Sequence, residues 1–127
     1  MPNEDQLVCI ANNGYNVVVN LALKDSPGVL SNESSLVTAL GMQYFHIPVI
    51  WEDPQQSDLD HFFKTMQKCQ DQKVFVHCVL NMRVSVFVFL YRVMVLKQDV
   101  ETANQDLLRI WVPDHTWQAF INLNFRS

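Results

Sequence analysis

The sequence predicts an α/β fold, one domain over residues 1–127 with a mostly parallel central sheet flanked by helices. Three observations predict it. Asn16 to Leu23 is a short apolar run rich in Val and Leu, without alternation, as a strand covered on both faces requires; Met42 to Val49 reads as a second strand, and Lys73 to His77 as a short central one. Helical patterns lie between and after these runs, and strands alternating with helices imply a parallel sheet with helices on both faces. The chain has 127 residues, 49% hydrophobic and 17% charged, which suits a single core and argues against global disorder.

The elements follow in order. Asn3 caps a first helix through about Asn12, with Glu4 and Asp5 favourably placed in its first turn, and Gly14 closes it. The strand from Asn16 leads into a loop, Asp25-Ser26-Pro27-Gly28. Ser31 or Asn32 caps a second helix ending at Gly41, and the second strand follows. Trp51 to Gln56 is a loop. Ser57 is placed to cap a third helix that buries Leu59, Phe62, Phe63, Met66 and Cys69. After the third strand, Val84 to Leu96 reads as a helix despite many β-branched residues, because an all-round apolar helix is a buried one. Glu101 to Ile110 is another helix. Pro113-Asp114 opens the last, through about Leu123, anchored by Trp117, Phe120 and Ile121.

Bulk properties exclude several classes. The net charge is −4 and no basic stripe is visible, which disfavours a nucleic-acid partner. The apolar run 84–96 has 13 residues and contains Ser85 and Arg92, short of the roughly 20 that a membrane span needs. Cys9, Cys69 and Cys78 make an odd count with no framework spacing; with no signal peptide at the start, free thiols and a cytoplasmic location are expected. Cys9 and Cys69 read as packing residues. The four His show no metal-ligand spacing and the three Gly form no nucleotide loop, so neither metal nor cofactor is expected.

The chemistry concentrates in Val74 to Ser85. An apolar strand ends in His77-Cys78, Arg83 follows, then Ser85, then the buried helix. A turn whose backbone N–H groups lead into a helix N-terminus carries positive potential, which favours a thiolate and a bound oxyanion. Cys78 is therefore placed as a nucleophile, with the N–H groups of Val79, Leu80, Asn81, Met82 and Arg83 as phosphate ligands. The Arg83 guanidinium offers a planar fork for two phosphate oxygens. Ser85 is near enough in sequence to hydrogen-bond the sulfur or to assist its departure. His77 orients the loop, and Asn81 suits a left-handed position mid-turn.

These residues resemble the signature loop of cysteine-dependent protein tyrosine and dual-specificity phosphatases, most closely the bacterial phosphatase-like branch with His-Cys-x-x-Asn-x-Arg-x-Ser. Val17 to Leu23 resembles that family's "VINL" strand, Leu40-Gly41-Met42-Gln43-Tyr44 and His46-Ile47-Pro48-Val49 its "GM-Y–HIPV" strand, and Trp51-Glu52-Asp53-Pro54 the loop after it. Leu90-Tyr91-Arg92 fits the helix behind the signature. The likeness runs from about Pro2 to about Ile121. It implies the cysteine-dependent phosphatase fold, and an N-terminal strand before Pro2 that this sequence does not display. The loop departs from the usual tyrosine phosphatase pattern by one residue: four residues separate Cys78 from Arg83, and Asn81 stands where Gly is common.

A leaving group needs a proton donor. The resemblance points to Asp53, with Glu52 its neighbour in competition and Asp25 third. Trp111-Val112-Pro113-Asp114 has the spelling of a phosphatase acid loop but follows the Cys, so it reads as a helix start. The function expected is a phosphatase acting on a phosphorylated protein or small molecule through a cysteinyl-phosphate. A non-catalytic phosphate-binding module and a rhodanese-like sulfurtransferase, which shares the four-residue gap, are the alternatives.

Overall fold

Each of the three apolar runs forms one strand of a single parallel sheet. The computed structural model describes residues 2–23 and 32–125. Helix α1 spans Glu4–Asn12, strand β1 Val17–Asn20, α2 Glu33–Ala39, β2 Gln43–His46, α3 Gln56–Lys68, β3 Val74–His77, α4 Met82–Met94, α5 Val100–Leu108 and α6 His115–Asn124. The order across the sheet is β2-β1-β3, so β1, not the run Lys73 to His77 expected there, is central, and all four of its residues are buried. Val17 pairs with Gln43 and Val74, and Asn20 with His46 and His77. The register brings the carboxyl ends of all three strands to one edge, where ligands gather in open α/β sheets.

Alternation along β1 divides the core into two layers. Val17 and Val19 join the larger cluster, which includes Leu59 and Phe62 of α3, Phe87 and Leu90 of α4, Leu107 of α5 and Trp117 of α6. Val18 faces a smaller cluster with Leu7 of α1 and Val37 of α2. Burying a side chain such as Phe62, Phe87 or Leu90 contributes roughly 1.5–3 kcal/mol, so α4 supplies much of what holds the domain together.

The expected helix over 84–96 is α4, beginning two residues earlier, at Met82. Burial on several faces (Val86, Phe87, Phe89, Leu90 and Tyr91) overrides the β-branched propensity of the run. Two capping expectations hold: Asn3 accepts a hydrogen bond from the N–H of Gln6, and Asp114 from that of Trp117. One is corrected. Ser57 lies inside α3; the cap is Gln55, whose N–H donates to Asp58 at 3.2 Å. Asn32 occupies the N-cap position of α2 without a side-chain bond. The loop 25–28, Ser31 and the Lys24-Asp25 strand end, with the third acid candidate Asp25, lie outside the described residues. Cys69 is buried as expected, but Cys9 is exposed. Two residues beyond the buried Leu7, it falls on nearly the opposite side of a 3.6-residue helix. No helix among the described residues is long and apolar enough to cross a membrane.

Candidate active site

Cys78 is the first residue after β3 and is 1% exposed. The chain then turns sharply. Asn81 adopts the left-handed conformation, with φ 63° and ψ 6°, at the N-cap of α4. Asn tolerates that region better than other non-Gly residues, which explains its place where Gly is the usual choice. Its side chain makes no capping bond, and the first intrahelical bond runs from the N–H of Ser85 to the carbonyl of Asn81. The N–H groups of Met82, Arg83 and Val84 therefore have no acceptor within the helix, and they form its positive end.

A cavity of about 330 Å³ opens at this end, lined by Leu23, Trp51, Glu52, Cys78, Val79, Leu80, Met82 and Arg83. The structure thus brings together the proposed nucleophile, the guanidinium, most of the turn and one of the two acid candidates in the loop after β2. Leu80 is 69% exposed and forms an apolar lip. Asp53 does not line the cavity. It is exposed, its N–H donates to Ile50, and its carbonyl accepts from Gln55. Asn81 does not line this cavity.

Arg83 is 7% exposed and is held from two sides. Its Nη1 donates to the carbonyl oxygen of Val49 at 2.7 Å, and its guanidinium carbon lies 6.0 Å from the centre of the Trp51 ring. A guanidinium has five N–H groups; among the described residues only one is engaged, so the rest of the fork is available to an oxyanion. Trp51 is fixed in turn. Its ring lies 5.3 Å from Trp111 and 5.6 Å from Trp117, and its carbonyl accepts a 2.9 Å hydrogen bond from Trp117 Nε1. The sequence signalled Trp51 only as part of a motif. Its partners lie more than fifty residues away, and no local pattern announces them.

Ser85 departs from expectation. Its hydroxyl donates to the carbonyl of Met82 and accepts from Trp111 Nε1 at 2.9 Å. Among the described residues no hydrogen bond joins it to Cys78, and it lines a different cavity from the one that Cys78 lines. Trp111, read from sequence only as the start of a helix entry, is thereby a second strut under the first turn of α4.

The His77 side chain meets a residue that sequence reasoning missed. Its Nε2 lies 2.8 Å from Glu33 Oε2, with the two side chains 2% and 3% exposed. The backbone carbonyl of His77 also accepts from Leu21 at 2.8 Å. Tyr44 is close by. Burial pushes its phenol pKa up, opposed by a hydrogen bond from Asn20, and the Glu33 carboxylate adds to the rise. His46 is structural, bonded through Nε2 to the carbonyl of Ala22 at 2.6 Å. His61 and His115 are exposed.

The sequence matches no protein-family model and no curated protein at a significant level. Solved structures do match. A protein of Shewanella putrefaciens CN-32, named "Putative phosphatase (DUF442)", superposes with a TM-score of 0.83 at 34% identity, over 98% of this chain and 80% of its own. A second structure of that protein gives 0.85 at 31% identity. Tk-PTP in its active form gives 0.78 at 19% identity, over 100% of this chain and 89% of its own. Pseudomonas aeruginosa TpbA gives 0.74 at 16% identity, over 96% and 75%. At such identities these last two speak for the fold.

Proposed function

The chain belongs to the DUF442 family, within the small cysteine-dependent protein tyrosine and dual-specificity phosphatase superfamily, and from that premise we propose that it hydrolyses a phosphate monoester through a cysteinyl-phosphate intermediate. The observation that carries the proposal is the shared cavity of Cys78, Arg83 and Glu52 at the N-terminus of α4.

The Cys78 thiolate attacks phosphorus, and the bond to the leaving oxygen breaks as the sulfur–phosphorus bond forms. Charge on the three equatorial oxygens is met by the Arg83 fork and by N–H groups of the turn and first helical turn. Glu52, on the cavity wall, gives its proton to the leaving oxygen and so takes the role the sequence offered first to Asp53. Water then attacks phosphorus, Glu52 takes its proton, and the thiolate departs with its electron pair. Ser85 would have to rotate away from Met82 to assist that departure; in its present position it supports α4 instead.

The test is aryl phosphate hydrolysis by wild type and by Cys78→Ser. Turnover by wild type alone supports the phosphatase. The one-residue-shorter loop and the near-complete burial of Cys78 favour a second reading, a phosphate-binding module without turnover. Vanadate binding by both proteins, with no activity in either, would establish that second reading.

A further inference from the structure

We infer that Glu33 is a positioning residue for the nucleophile, acting through His77; the inference rests on the reading of Cys78 as that nucleophile. Glu33 opens α2 and His77 ends β3, 44 residues apart in sequence, yet their side chains meet at 2.8 Å where both are almost fully buried. A buried carboxylate is costly unless it is paired and hydrogen-bonded. Among the described residues Oε2 meets the imidazole and Oε1 has no hydrogen-bond partner, and the Tyr44 phenol lies close enough to interact with the carboxyl group. The contact joins one carboxyl oxygen to one ring nitrogen, Nε2, and so fixes the orientation of the imidazole. The other ring nitrogen, Nδ1, is buried with no hydrogen-bond partner among the described residues.

The consequence for the site is geometric. His77 is held at three points: its side chain by α2, and its backbone by ladder bonds to β1 and by the 2.8 Å bond from Leu21 to its carbonyl. The peptide that follows carries Cys78. The cysteine that lines the cavity thus follows directly on a residue anchored through both side chain and backbone, whereas Arg83 is held separately through Val49 and Trp51. Two independent anchors set the nucleophile and the anion-binding fork. Positioning of this kind acts on the rate of attack, because misplacing a reacting atom by an ångström is felt strongly.

Glu33→Gln keeps the shape and an oxygen for Nε2 but replaces the carboxyl group with an amide. We expect it to slow alkylation of Cys78 by iodoacetamide about tenfold and to lower kcat for aryl phosphate about tenfold, with KM changed less than twofold. The nitrogen NMR signals of His77 should shift, and adding His77→Asn should make the rates no worse than either single change. Val37→Ala, elsewhere on the buried face of α2, is the control for simple loosening of the helix. The inference is overturned by wild-type alkylation and an unmoved His77 spectrum in Glu33→Gln. Equal slowing by Val37→Ala, or multiplying effects of Glu33→Gln and His77→Asn, would overturn it too. Alkylation and the His77 spectrum need no turnover, so a wild-type protein without phosphatase activity would fail the functional proposal and leave this one to be decided.

Discussion

Arg83 donates a 2.7 Å hydrogen bond to the backbone carbonyl of Val49, tying the first turn of α4 to the chain leaving β2. The bond uses one N–H and leaves the guanidinium plane against Trp51. A lysine could reach one acceptor but could not hold Val49 and two phosphate oxygens together. Arg83→Lys should therefore fold and still lose turnover by about 10²–10³-fold, the range seen when an oxyanion donor is removed. Steady-state hydrolysis of an aryl phosphate, with vanadate inhibition in parallel, measures both. Retention of more than a tenth of wild-type activity would show that the turn alone carries the anion.

Glu52 and Asp53 are adjacent in sequence and both exposed, but only Glu52 lines the cavity. Glu52→Gln should slow hydrolysis of phenyl or alkyl phosphates by about 10²-fold or more, the scale of general acid catalysis. It should slow a nitrophenyl ester much less, because that leaving group needs no proton. Asp53→Asn should leave both substrates within about twofold of wild type. The opposite ranking of the two variants would return the acid role to Asp53.

The left-handed backbone of Asn81 makes the turn sensitive to side-chain type. That conformation costs about 1–2 kcal/mol for an ordinary L-residue, less for Asn and nothing for Gly. Asn81→Ala should lower stability by about 1 kcal/mol, and Asn81→Gly should leave it near wild type. Because the turn also presents the N–H groups, the alanine variant should bind vanadate more weakly than the glycine variant. Urea denaturation and vanadate titration check the two effects, and equal behaviour of the variants would count against strain at this position.

How much of this was legible in the sequence depends on how far apart the interacting residues lie. The strand-turn-helix from Val74 to α4 could be read because its parts are contiguous, and each residue type has a local reason. The helical state of 82–94 was readable only by weighing the turn against propensity. By contrast, the partners that fix the site are remote or have no identity of their own. Val49 contributes a backbone oxygen, which any residue would supply. Glu33 meets His77 across 44 residues, and Trp111 meets Ser85 across 26. Cys9 was misread because helix α1 is only nine residues long, so few apolar positions define its buried face. The order of Glu52 and Asp53 around the cavity depended on the bend of one loop, which neighbouring carboxylates in sequence do not reveal.

The Arg92–Asp106 pair joins α4 to α5 and makes stability depend on acid. Arg92 Nη1 donates to Asp106 Oδ2 at 2.8 Å, while its Nε donates to Gln98 Oε1 at 2.6 Å. The hydrogen bond from Arg92 holds the Asp106 carboxyl below its usual value of 3.8, with further help from the charges of Arg92 and Arg109. A carboxyl whose pKa is lower in the folded chain adds stability above its unfolded pKa and loses it as pH falls through the folded one. The contribution is thus present at neutral pH and disappears below about pH 4. Asp99, which caps α5 through Thr102, is lowered in the same direction by those hydrogen bonds and loses its contribution in the same range. Wild type should lose more stability between pH 6 and pH 3 than Asp106→Asn does, and the double change Asp99→Asn, Asp106→Asn should flatten the acid limb further. Since both carboxylates lie at the surface, salt should shrink the Arg92–Asp106 part of the difference and leave the short-range cap at Asp99 largely intact. Urea midpoints at several pH values, in low and high salt, make the measurement; parallel acid limbs for wild type and Asp106→Asn would show that the pair does not link these helices in solution.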